Sequence, residues 1–170
     1  MTTLTPESPL KETTLLVRPA EATDVPLILT LIGELADYEK LSHEAVATEA
    51  LLGEHLFGPT PRASVLLAFE QPADNAEPAP VGFALMFYNF STFRGKPGIY
   101  LEDLFIRPAY RGKGYGKTLL SMIHQRAMAE GCGRVEWSVL DWNTPAIEFY
   151  KAFGAKPMDD WTVYRMSLPD

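Results

Sequence analysis

The run Arg111-Gly112-Lys113-Gly114-Tyr115-Gly116 sets three glycines and two cations directly ahead of apolar residues at Leu119, Leu120, Ile123 and Ala127, the spacing of one helix face. Upstream, residues 99–106 (IYLEDLFI) read as a strand carrying two adjacent carboxylates, Glu102 and Asp103. Arg107-Pro108 closes that strand, because Pro108 has no N–H to give to a ladder. In the order strand, glycine-rich turn, helix, unpaired backbone N–H groups and the positive end of a helix dipole converge on an anion, most often a phosphate. The glycines let the phosphate reach the backbone and allow positive φ. A P-loop would need glycine five residues before Gly116-Lys117-Thr118, where Arg111 stands. A dinucleotide fingerprint starting at Gly112 would need glycine where Lys117 stands. What remains is R-x-x-G-x-G, with a glycine-rich surface turn as the plain structural alternative.

A second constellation is WSVLDWNTPAIEFYKAFGA, from Trp137 onward. Asn143 and Tyr150 lie seven residues apart, two helical turns, so both can face one direction. Asn143-Thr144-Pro145 is an ordinary helix start, and Tyr150 in isolation is as well explained as a core tyrosine.

Elements that must hold these residues follow from periodicity and breakers. Residues 1–13 form a flexible N-terminal segment and 14–170 a single domain. A strand over 14–19 precedes a helix capped by Thr23 and running to about Lys40, with Ile28, Leu31, Ile32 and Leu35 on one face. A second helix, 43–56, stops before Gly58-Pro59. Strands at 63–70 and 81–90 flank an exposed loop, 71–80, and Gly82 marks a bulge or a close backbone approach. After a turn at 91–98 and the strand 99–106, the helix behind the glycine loop runs to about Glu130 and ends at Gly131. A strand over 134–140, a helix over 144–153 and a strand over 161–168 complete the chain. This order gives a mixed sheet with helices packed on its faces, an α/β (α+β) domain.

Composition narrows the partners. With 170 residues, 46% hydrophobic and 22% charged, the chain is an ordinary soluble protein with room for a core. A net charge of −7 argues against a nucleic-acid partner and suits a cationic one. Cys132 is the single cysteine and His43, His55 and His124 are scattered, so neither an intramolecular disulfide nor a metal site is expected. No apolar run is long enough to span a membrane, and the N-terminus lacks the apolar stretch of a signal peptide, which makes cytoplasmic residence the expectation.

The two constellations, in this order and at this distance, resemble the GNAT superfamily of N-acetyltransferases. VRPA, ELADYEK, IYLEDLFI, YRGKGYGK and LDWNTPAIEFYKAFGA are similar to its diamine (spermidine/spermine) branch, which includes thialysine acetyltransferases, over residues 15–168. The resemblance implies a mostly antiparallel central sheet with helices on both faces, and acetyl-CoA as cosubstrate. Leu104, Phe105 and Ile106 would offer strand backbone to the pantetheine arm. Gly112, Lys113, Gly114, Tyr115, Gly116 and Lys117 would cradle the pyrophosphate, with Arg111 opening the loop. Asn143, Thr144, Pro145 and Ala146 would also contact the cofactor, and Tyr150 would be the acid near the thioester sulfur. Tyr38, Glu39, Glu102, Glu136, Trp137 and Ser138 would form the amine pocket, and the protein would be a homodimer. Two departures lie near the amine end: Phe93 where that branch often has Trp, and Met158-Asp159-Asp160-Trp161 in place of a longer acidic turn.

These roles are chemically consistent. A primary amine near pKa ~10.4 is almost wholly protonated at neutral pH, yet only the neutral form attacks a thioester. The site must therefore bind the cation and then remove a proton, and carboxylates do both. Glu102 is the candidate for the second task. Glu102 and Asp103 point to opposite faces and do not act as a pair unless a bulge intervenes. An ordinary phenol (~10) is a weaker acid than a thiol (~8.5), so Tyr150 is expected to contribute a hydrogen bond that strengthens as charge grows on sulfur. The expected function is direct acetyl transfer to a polyamine, diamine or lysine-like amine. Acetylation of a protein or peptide amine, or a non-catalytic CoA-binding module, are the alternatives.

Overall fold

The computed structural model describes residues 13–74 and 76–168. They form β1 (Thr14–Pro19), α1 (Val25–Glu39), α2 (Glu49–Phe57), β2 (Ser64–Gln71), β3 (Ala79–Ser91), β4 (Lys96–Ile106), α3 (Tyr115–Ala129), β5 (Val135–Glu136) and α4 (Thr144–Ala152). The expected flexible segment 1–13 lies, apart from Thr13, outside the described residues. The chain divides after Trp137 into two compact units, the first holding the sheet with α1 to α3 and the second holding α4.

In the first unit the five strands lie in the order β1-β2-β3-β4-β5, antiparallel except for the parallel β4–β5 pair. Period-two alternation sends side chains to both faces. Val65, Leu67, Phe83 and Phe105 meet Ile28 and Leu31 of α1 and Leu56 of α2, all essentially buried. Ala68, Val81 and Ile106 meet Tyr115 and Leu119 of α3 on the other face. Helices therefore cover both sides of the sheet, as expected, and the face read from Leu119, Leu120, Ile123 and Ala127 is the buried one. Each such Leu, Ile or Phe contributes roughly 1.5–3 kcal/mol by leaving water.

Four expectations need correction. Thr23 does not cap the first helix. Asp24 does more there: its Oδ2 accepts from the Glu21 N–H at 2.7 Å while its carboxylate pairs with Arg18 at 2.6 and 2.8 Å. A short 3-10 turn, Ala22–Asp24, thus precedes α1. The second helix begins at Glu49 rather than near His43, because Thr48 supplies the cap, its Oγ1 accepting from Leu51 N–H at 3.3 Å. Residues Ser42–Glu44 form a separate 3-10 turn after Lys40 has stopped α1 in a left-handed conformation, φ 61°.

The strand expected over 134–140 shrinks to Val135 and Glu136, which pair with Ile99 and Tyr100. That ladder ends just before β4 deforms at Glu102. The strand expected over 161–168 does not form. A segment of strand-forming residues becomes a strand only where another strand pairs with it, and no described strand pairs with this one.

Gly82 meets both readings of it. The β2–β3 register shifts beside it, with Ala68 opposite Gly82 and Phe69 opposite Pro80. A Cβ at Gly82 would also run into the Phe105 carbonyl oxygen. Gly82→Ala is therefore expected to cost about 1–3 kcal/mol, read as a lower urea midpoint at unchanged slope. An unchanged midpoint would mean that β4 can shift to make room.

Candidate functional site

Three anchors hold the glycine loop in the first unit. Arg107, at the end of β4, gives a forked pair of bonds to Glu34 of α1 at 2.8 and 2.7 Å and a third to the Pro80 carbonyl at 2.6 Å. This anchor was not seen in the sequence: Glu34 lies 73 residues away and no local pattern links them. Arg111 donates from Nε to the Ile106 carbonyl at 2.9 Å, and its guanidinium lies 4.3 Å from the Tyr38 ring centroid and 5.8 Å from that of Phe105. Lys113 pairs with Glu70 of β2 at 2.7 Å.

Gly112 and Gly114 take φ of 79° and 83°, and nothing lies within 4 Å of where a Cβ would project from either. Gly114 caps α3, whose first helical bond is Thr118 N–H to the Gly114 carbonyl at 3.0 Å. The N–H groups of Tyr115, Gly116 and Lys117 precede that bond and belong to the helix's positive end.

The acids lie on the strand that feeds this loop. In β4, Asp103 is opposite Leu85 and Leu101 is opposite Met86, so Glu102 is the extra residue of a β-bulge. Glu102 is exposed and Asp103 half-buried. Withdrawal from water pushes the Asp103 carboxyl up to about 7, helped by the charges of Glu102 and of Glu39 at the end of α1. Burial also raises the Glu39 carboxyl above its ordinary value. Among the described residues none of the three has an ion-pair partner. Asp103, rather than Glu102, is thus the most perturbed carboxyl described, and the Glu-Asp pair at a strand end is its only signal in the sequence.

Other expected amine-pocket residues are placed differently. Tyr38 faces Arg111, so it touches the loop as well as flanking Glu39. The Glu136 carboxylate receives Asn89 Nδ2 at 2.8 Å and lies 2.8 Å from Arg134 Nε. Trp137 is half-buried at the end of the first unit, and Ser138 begins the second.

In the second unit, Asn143 rather than Thr144 caps α4: its Oδ1 accepts from Ala146 N–H at 3.3 Å, with Pro145 in the first turn. Tyr150 is half-buried two turns later, its ring 5.2 Å from that of Phe149. Gly154, φ 97°, follows the helix end.

The loop and β4 suit a particular ligand chemistry. Beyond Tyr100 no described strand pairs with the second edge of β4, so the backbone of Leu104, Phe105 and Ile106 lies where an extended amide ligand could align. Open space over Gly112 and Gly114, beside the N–H groups of α3, accommodates a phosphate at one end of such a ligand. Secondary amides joined to phosphates are the chemistry of coenzyme A. The described residues include no group of three metal-ligating side chains and no helix long and apolar enough to cross a membrane.

Comparison with known proteins identifies the family. Residues 34–155 match the acetyltransferase (GNAT) family. The chain is 37% identical to a thialysine N-epsilon-acetyltransferase of Bos taurus, covering 88% of this chain and 91% of that protein. It is 35% identical to an L-ornithine N5-acetyltransferase of Arabidopsis thaliana, covering 89% and 83%. Among solved structures, an integron cassette protein from Vibrio cholerae superposes with a TM-score of 0.73 at 25% identity, covering 90% of this chain and 92% of that one. A metagenomic aminoglycoside acetyltransferase superposes at 0.72 with 17% identity, covering 91% and 97%, and so shares the fold. The chain belongs to the GNAT acetyltransferase family.

Proposed function

We propose that this protein transfers the acetyl group of acetyl-CoA to a primary amine of a lysine-like, diamine or polyamine compound, by direct attack in a ternary complex. The observation that carries the reading is the group formed by Glu39, at the end of α1, and Glu102 and Asp103, on the strand that leads into the glycine loop: burial raises the Asp103 and Glu39 carboxyls, and among the described residues none of the three has an ion-pair partner. Glu39 and Asp103, unpaired and partly withdrawn from water, are costly to ionise until a cation arrives, which selects for an ammonium group. The relatives named for thialysine and ornithine acetylation support the same substrate class.

Acetyl-CoA, when bound, supplies the electrophilic acyl carbon. The chain's own groups do the rest. The N–H groups of residues 112–117 hold phosphate, and the edge of β4 at Leu104–Ile106 aligns the pantetheine arm. By the family resemblance, Asn143, Thr144, Pro145 and Ala146 would also contact the cofactor. The acids attract the ammonium; Glu102, open to solvent, takes its proton directly or through a water and passes it to the adjacent Asp103, which, titrating near neutrality, is the final acceptor matched to working pH. Tyr150 donates a hydrogen bond to the sulfur as charge develops there. Cys132 has no role, since no covalent enzyme intermediate is needed. Cytoplasmic residence and a homodimer, the latter supported by the exposed Trp142 and Trp161, belong to the same reading.

Free-thiol release from acetyl-CoA across a panel of diamines, polyamines, lysine analogues and short peptides is expected to show turnover on one small-amine class. Turnover on peptides alone would move the substrate to a protein amine, and tight CoA binding with no turnover would leave a binding module. Tyr150→Phe is expected to lower kcat about tenfold or more with CoA affinity little changed. An unchanged kcat removes its role.

Asp103→Asn separates two consequences of one raised pKa. Activity should rise with pH as Asp103 ionises near 7, and the variant should lose that ascending limb. Between its ordinary 3.8 and about 7 the folded state keeps a proton that the unfolded chain releases, so stability falls as pH rises through that window. Asp103→Asn is therefore expected to raise the free energy of unfolding at about pH 8, by an amount on the order of 4 kcal/mol at most and read as a higher urea midpoint, and to change it little at about pH 4. An equal gain at both pH values would assign the effect to packing.

A further inference from the structure

The ammonium of Lys113, inside the glycine loop, is turned onto Glu70 Oε2 at 2.7 Å, 5.4 Å from the Tyr110 ring centroid and 6.0 Å from that of Tyr115. The same carboxylate oxygen receives the Tyr115 hydroxyl, and Thr13 Oγ1 lies 3.4 Å from that hydroxyl. Tyr115, the first residue of α3, is buried in the core between α3 and the sheet, and Glu70 sits in the β2 ladder between Leu15 and Ala79. The carboxylate is thus fixed by a strand and a buried phenol, whereas Lys113 is held by a flexible four-carbon stem rooted in the loop. Glu70 is kept ionised by these two donors, its carboxyl held below the ordinary value by Lys113 first and Tyr115 second. The loop's other side-chain cations are placed otherwise: Arg111 is bonded to Ile106 and stacked on Tyr38, and Lys117 is exposed.

We propose that Glu70 sets the affinity of the loop for coenzyme A by competing with its phosphates for Lys113. The inference rests on the reading of the loop as the CoA phosphate site. With Lys113 neutralised by a carboxylate that cannot follow it, the phosphate is held mainly by backbone N–H groups, and each CoA molecule must draw Lys113 away from Glu70 to gain its charge. Glu70 thereby keeps the loop's grip loose, which favours departure of the spent CoA.

The test is CoA binding by calorimetry to wild type, Glu70→Gln, Lys113→Met and the double variant. Gln preserves an acceptor for Tyr115 while removing the charge. Glu70→Gln is expected to tighten CoA about three- to fivefold at low ionic strength, with the gain shrinking in high salt and vanishing in the Lys113→Met background. Dephospho-CoA distinguishes the sources: a gain that persists assigns Lys113 to the pyrophosphate, and a lost gain assigns it to the 3′-phosphate. Weaker or unchanged binding by Glu70→Gln with its Tm retained overturns the proposal, as does a gain that survives without Lys113. If Glu70→Gln loses stability, wild type and Lys113→Met decide: binding by Lys113→Met as steep in salt as wild type overturns it. Wild type that does not bind CoA removes the assignment of the loop itself, a different failure from that of Glu70.

Discussion

The bulge at Glu102 is the constraint on which the rest of the site depends. β4 runs between β3 and the short β5 and ends at the glycine loop, so any change in its register is passed to every element it touches. One extra residue between Leu101 and Asp103 resets the alternation of the final segment. Phe105 then packs under α1 and α2 while Ile106 packs under α3. A polar side chain at Asp103, two residues before Phe105, falls on the α1 face near Glu39, which explains why it is withdrawn from water. The β4–β5 ladder ends at Tyr100, just short of the bulge, and leaves the next edge of β4 open.

Charge is distributed unequally around that strand. Two cations of the loop are engaged within the protein, Arg111 by an aromatic ring and a carbonyl and Lys113 by Glu70. Among the described residues, Glu39, Glu102 and Asp103 are not matched by any cation. The loop thus offers an anion fixed backbone donors, which need no reorganisation, while the acids present an unmet demand for positive charge. Under the proposed function the two substrates are held by different physics: the larger by dipoles and strand edge, the amine by Coulomb attraction in a partly dry setting. Tyr38 connects the two, next to Glu39 in α1 and in contact with Arg111 of the loop.

Much of this was legible in the residues. The R-x-x-G-x-G run, the face of α3, the Asn143 helix start and the two-sided sheet follow from local rules, because glycines with positive φ, caps and periodicity act over a few residues. Long-range pairing had no such trace. The Arg107–Glu34 fork joins residues 73 apart, and the Lys113–Glu70–Tyr115 cluster joins the loop to a strand more than forty residues earlier. The strand expected over 134–140 is cut to two residues and that over 161–168 is absent for a related reason: residue types state a preference, but a strand exists only where another strand pairs with it.

The sequence by itself determined the family, the glycine-rich loop at a helix start and the presence of two adjacent acids at a strand end, since these depend on residue type and near spacing. Only the tertiary structure decided which acid is perturbed. Whether Glu102 and Asp103 divide between two faces or share an environment turns on a single inserted residue opposite Leu85 and Met86. A one-residue difference in register leaves no mark on composition or periodicity, yet it fixes which carboxyl meets solvent and which meets Glu39.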